Sequence, residues 1–167
     1  AEKSISVSNI VNGATRLQPV VLGIGQAAGA LAAVSLKNQQ QPEAVNIREV
    51  QAALLQSKAY LMPFMDVPAT DPQFAAIQRV GATGIMKGTG IPYKWANQTW
   101  FYPEQPVSQY ELVSGLISYY PELKTYLGGS GEMLTPKSFT EIMEVIKQPI
   151  TVAQLQADWG TLSPNSS

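Results

Sequence analysis

The sequence predicts a mainly α-helical chain in two parts, and three observations carry that expectation. Five positions read as helix starts, each with a capping side chain backed by a hydrophobic staple or a proline. The run Pro19 to Leu36 is almost wholly apolar or small, with Gln26 near its middle. A pair of helix motifs also recurs in the same order later in the chain.

Taken in order, Ile5-Ser6-Val7-Ser8 alternates as a strand or extended lead-in does. Ala1-Glu2-Lys3-Ser4 has no basic segment followed by an apolar run, so it is no signal peptide, and Ala1 reads as a boundary or cleavage point. Residues 19–36 fall short of a bilayer's roughly 20 apolar residues and are Gly/Ala-rich, which favours a buried helix packed through Gly25, Gly29 and Ala33 over a membrane span. Lys37 to Pro42 is a polar loop.

The later helix starts follow one design. Asn46 and Glu49 form a capping box with Val45 and Val50 as staple; Ser108 and Glu111 pair with Val107 and Leu112; Thr151 and Gln154 pair with Ile150 and Leu155. Asp71-Pro72 and Thr135-Pro136 place proline at the first helical position. The expected helices are therefore 46–57, 72–80, 108–119, 136–147 and 151–158, with a frayed tail from Gly160.

Phe74-x-x-Ile77-x-x-Val80 recurs as Phe139-x-x-Ile142-x-x-Val145, and Pro106-Val107-Ser108-x-x-Glu111-Leu112 as Pro149-Ile150-Thr151-x-x-Gln154-Leu155. The connector inside the first unit runs from Gly81 to Gln105 and holds Tyr93, Trp95, Trp100, Phe101 and Tyr102 within ten residues. Such a loop either packs its rings into the core or presents Tyr93, Trp95 and Trp100 as a ligand-stacking surface.

Composition narrows the function. The chain of 167 residues lacks cysteine and histidine, which removes disulfides, thiol nucleophiles, Cys/His zinc sites and the commonest general base. A charged fraction of 14% and a net charge of −1, with no basic cluster, give no reason to bind nucleic acid or an acidic membrane. Glu141 and Glu144 share one side of a helix as solvated neighbours do, and no catalytic set is assigned. The compartment stays open, the periplasm and the cell exterior included.

Gly23-Ile24-Gly25-Gln26-Ala27-Ala28 fits G-x-G-x-x-A, but Pro19 truncates the preceding strand and no βαβ unit can be drawn around it. A helix beginning at Gly25 or Gln26 is the alternative: its unpaired N–H groups and positive dipole end suit a phosphate or an anionic flavin ring.

With Ile5 to Asn9, Arg16-Leu17-Gln18-Pro19 through Gly25-Gln26-Ala27-Ala28-Gly29 to Ala33, and on to Leu61, the first part resembles the closing flavin motif of the FAD-dependent oxidoreductases, some bacterial members of which are labelled xanthan lyase. The resemblance implies that the backbone of Gly25, Gln26 and Ala27 faces the flavin's pyrimidine edge and that Arg16 lies near the flavin or substrate. It also implies that residues 1–65 close a flavin domain whose dinucleotide fold lies upstream and is not in this chain. FAD is then the parent protein's cofactor, not expected bound to this piece, and the upstream flavin domain is the partner.

From Phe74 to Leu112, through Gly84-Ile85, Trp100-Phe101-Tyr102-Pro103 and Ser108-Gln109-Tyr110-Glu111, the second part resembles an S-layer homology unit. That resemblance implies a helical module over residues 66–160 with polysaccharide as a candidate partner. Gln109 and Val152 stand where the family carries a basic residue, so an anionic glycan loses its charged contact. Residues 161–167 are expected to be a disordered tail. The function expected is that of a C-terminal piece of a FAD-dependent oxidoreductase, inactive alone; a carbohydrate-binding or wall-associated module, or a structural appendage, is the alternative.

Overall fold

The computed structural model describes residues 5–94, 96–129 and 131–162. The chain is mainly helical and divides into two compact units, Ala1–Leu61 and Met62–Ser167.

The first unit holds α1 (Asn9–Thr15), α2 (Gln18–Asn38), a 3-10 turn at Pro42–Ala44 and α3 (Ile47–Gln56). Residues 5–8 join no strand, so of the two expected lead-ins, strand or extended, the chain takes the extended one into α1. Ser8 caps α1, its hydroxyl accepting from the Val11 amide at 3.4 Å and its carbonyl from the Asn12 amide at 2.9 Å. At its far end α2 stops in a left-handed residue, Gln39, whose N–H donates to the Leu36 carbonyl while the Gln40 N–H reaches Ser35. Asn46 caps α3 by accepting from Arg48 N at 2.9 Å. The expected box does not close, because the Glu49 carboxylate accepts from Asn38 Nδ2 at 2.6 Å, tying α3 to the end of α2.

Burial corrects the reading of residues 19–36. Helix α2 is long and apolar enough to cross a bilayer, yet only 11% of that stretch is buried. Val21 and Ser35 are its buried residues, and Val50, Leu54 and Leu55 of α3 complete a thin core. Leu22 and Leu36 are 73% and 80% exposed. A Cβ added at Gly25 or Gly29 would meet nothing within 4 Å, so these glycines are not packing contacts within this chain.

The second unit begins with a segment knitted into it at three residues, Met62, Phe64 and Asp66. Buried Gln78 accepts from Met62 N at 2.7 Å and donates to Met62 O at 3.1 Å. Phe64 forms a parallel bridge to Thr99. The Asp66 carboxylate accepts from Phe101 N at 2.8 Å and Tyr102 N at 2.7 Å. Helix α4 (Phe74–Thr83) starts two residues later than Asp71-Pro72 suggested, since the Asp71 carboxylate takes the Gln73 amide in a turn first.

The connector is folded as an antiparallel hairpin, β1 (Thr89–Tyr93) and β2 (Ala96–Trp100), with Thr89 opposite Trp100 and Tyr93 opposite Ala96. Gly88 lies against it with φ +70, and a Cβ there would come within 2.6 Å of the Trp100 carbonyl oxygen.

Helix α5 (Gln109–Leu116) is capped by Ser108. A 3-10 segment, Pro121–Gly129, leads on to α6 (Pro136–Val145) and α7 (Val152–Leu162). Thr135 and Ser138 close a full capping box on α6, and Thr151 and Gln154 close the one expected on α7. Helix α7 runs past the expected end at 158 and takes in Gly160 to Leu162, so helix replaces the predicted fraying there; residues 163–167 lie outside the described residues.

The core joins Leu112, Val113 and Leu116 of α5 to Leu123, Ile142 and Ile146. In the two repeated motifs the shared isoleucine is buried in both copies, as Ile77 and Ile142, but Phe74 is buried while Phe139 is half-exposed. Leu134, Pro136, Phe139 and Leu155 line an open apolar groove of about 610 Å3 there.

Candidate functional site

The residues expected to face a flavin all lie on α1 and α2. Arg16 is the C-cap of α1, with an αR backbone and an exposed side chain. Gly25, Gln26 and Ala27 lie well inside α2, which starts at Gln18 and not at Gly25 or Gln26. Proline at the second helical position explains the earlier start, since its fixed φ suits the first turn and its missing N–H costs nothing there. The N–H groups of residues 25–27 are therefore turned into the helix's own ladder. The unpaired amides of the first turn belong to Gln18 and Val20, with no side-chain cap on them.

The helix period sorts these residues by face. Val21, Ile24, Ala28, Leu31 and Ser35 form the half-buried to buried side. Leu22, Gly25, Gln26, Gly29, Ala33 and Leu36 are all exposed and recur at three- and four-residue steps, so they form one stripe on the opposite side. Gly25 and Gln26 belong to that stripe, and half-buried Ala27 does not. The free face thus presents a backbone nearly bare of side chains between two leucines, with one amide, Gln26, in its middle. A planar ring system or another backbone can approach such a surface closely. It is one wall, open to solvent along α2.

Of the three aromatic residues named for ligand stacking, Tyr93 and Trp100 stand at opposite ends of one hairpin. Tyr93 ends β1 beside the turn and is 51% exposed, with Lys94 Nζ 5.4 Å from its ring centre. Trp100 ends β2 four register steps away, about 13 Å along the hairpin. Its indole N–H donates to Gln98 Oε1 at 3.1 Å, and its ring stacks on Tyr102 at 5.9 Å. Phe101 packs at 5.0 Å on buried Phe64. Trp95 lies outside the described residues. Trp100, Phe101 and Tyr102 are therefore occupied in holding the hairpin. Asp66, which reads in sequence as a turn residue, is the group that fastens it; no sequence signal links positions 35 and 36 residues apart.

An open cleft of about 740 Å3 is bordered by Gln109, Tyr126, Glu132, Lys137 and Glu141. Gln109 Nε2 donates to Glu132 at 3.3 Å, the Tyr126 hydroxyl to Glu141 at 3.5 Å, and Lys137 lies 3.9 Å from Glu141. Burial, reinforced by the Glu141 charge and hydrogen bond, raises the Tyr126 phenol above its ordinary range. Among the described residues no group of three Asp or Glu is placed to hold a metal ion.

Residues 1–54 match the family model described as FAD dependent oxidoreductase. The match covers about a third of the chain, lies wholly within the first unit and ends inside α3. No curated protein and no solved structure matches the chain.

Proposed function

We propose that this chain is the C-terminal piece of a FAD-dependent oxidoreductase, in which α1 and α2 supply one edge of the flavin site to an upstream flavin domain. The observation that carries the reading is the exposure of α2. A helix apolar on nearly all sides is ordinarily buried, whereas the Leu22–Leu36 stripe has no cover within its own unit. That stripe lies inside the segment matching the flavoenzyme family. A flavin domain packed against it would bury the leucines and seat Gly25 and Gln26 beside the cofactor, with Arg16 at the near end of the helix. Residues 1–65 and 66–160 then divide as tail and appendage. FAD supplies the redox chemistry on an organic substrate; this chain binds and orients, and it is not catalytic alone.

The second unit is read as an S-layer-homology-like helical module carried by that protein. Its two helix pairs of related sequence support this. A role in stacking polysaccharide is secondary, because Tyr93 and Trp100 stand at opposite ends of the hairpin.

The test is a flavin titration of the isolated chain beside the visible spectrum and intact mass of the native protein that contains it. The expected results are weak or no FAD binding by the isolated chain, and a larger, flavin-coloured native polypeptide. Tight stoichiometric FAD on the isolated chain, or a colourless native protein of this size, overturns the proposal.

A further inference from the structure

We draw no further inference here: the strongest candidate, the open polar cleft where Gln109, Tyr126 and Glu132 meet the first turns of α6, carries nothing because its polar groups already bond one another, Gln109 to Glu132, Tyr126 and Lys137 to Glu141, and Thr135 to Ser138, and no unpartnered buried group among the described residues points to a ligand.

Discussion

Truncating the two leucines of the α2 stripe separates a helix meant for water from one awaiting a partner. Leu22 is 73% exposed and Leu36 80%. In the isolated chain, Leu22→Ala and Leu36→Ala remove atoms already in water, and alanine is the better helix former, so each changes stability by no more than about 0.5 kcal/mol. In the proposed parent flavoenzyme the same side chains would be covered. A buried Leu→Ala costs about 2–5 kcal/mol. Roughly three quarters of each side chain is free for a partner to cover, which puts the loss at about 2–4 kcal/mol apiece. The residues stand fourteen apart, about 21 Å along the axis, so the two losses should add. At about 2–4 °C per kcal/mol, the double variant lowers the proposed parent's flavin-release midpoint by roughly 10–30 °C. Thermal melting followed by circular dichroism on the isolated chain, and by flavin fluorescence on the parent, reads both numbers. Equal shifts in the two proteins, or none in the parent, would refute the view that this stripe is an interface.

Three further outcomes follow from the second unit. Asp66→Ala strips the acceptor from the Phe101 and Tyr102 amides; because Asp66 is half-exposed, water replaces part of the loss, leaving about 2 kcal/mol. Hydrogen exchange at those amides should quicken, with Asp66→Asn falling between the variant and the native chain; unchanged exchange would mean that ring packing alone holds the hairpin. Gly115→Ala should destabilise by about 3 kcal/mol or more, because its Cβ would collide with the Ile85 carbonyl and backbone cannot yield as a side chain does; a melting point within a degree or two of native would contradict that contact. Tyr126 keeps its proton to higher pH in the folded chain than in the unfolded one. The folded state therefore binds more protons above pH 10, so this contribution is complete below the free-tyrosine value and is lost as pH climbs through the raised one. Ultraviolet titration of the native chain against Tyr126→Phe should show a phenol that ionises above the free-tyrosine value disappear; loss of absorbance only at the ordinary tyrosine value would refute the raised one.

Local signals in the sequence were legible where the structure uses them locally. Ser108, Thr135 and Thr151 cap the helices that their positions announced, because capping involves residues three apart and little else can intervene. Asn46 caps as expected while Glu49 does not complete its box, since Asn38 on the neighbouring helix offers the carboxylate a competing donor. The hairpin within 81–105 gave no such signal. Its strands hold Gly90 and Pro92, and its rings are ordered by Asp66 and Phe64 from far upstream. Long-range contacts of that kind leave no period in the sequence.

The segment that matches the flavoenzyme family differs in this respect. Its residues resemble a family whose model matches positions 1–54, yet a segment's composition does not say what covers it. Apolar composition from Pro19 to Leu36 implied a buried helix, and the fold delivers the helix with its small-residue face open. The same glycines that suit a closely approaching ligand also suit a closely approaching backbone. Gln26 distinguishes the two: an amide in the middle of an apolar stripe is costly to cover unless the covering group answers its hydrogen bonds. Gln26→Leu should thus strengthen packing against a purely apolar helix but weaken flavin retention if the amide meets the ring's polar edge. Flavin occupancy of the parent carrying Gln26→Leu decides between them. Undiminished occupancy would remove Gln26 from the cofactor's surroundings and leave α2 as a structural wall alone.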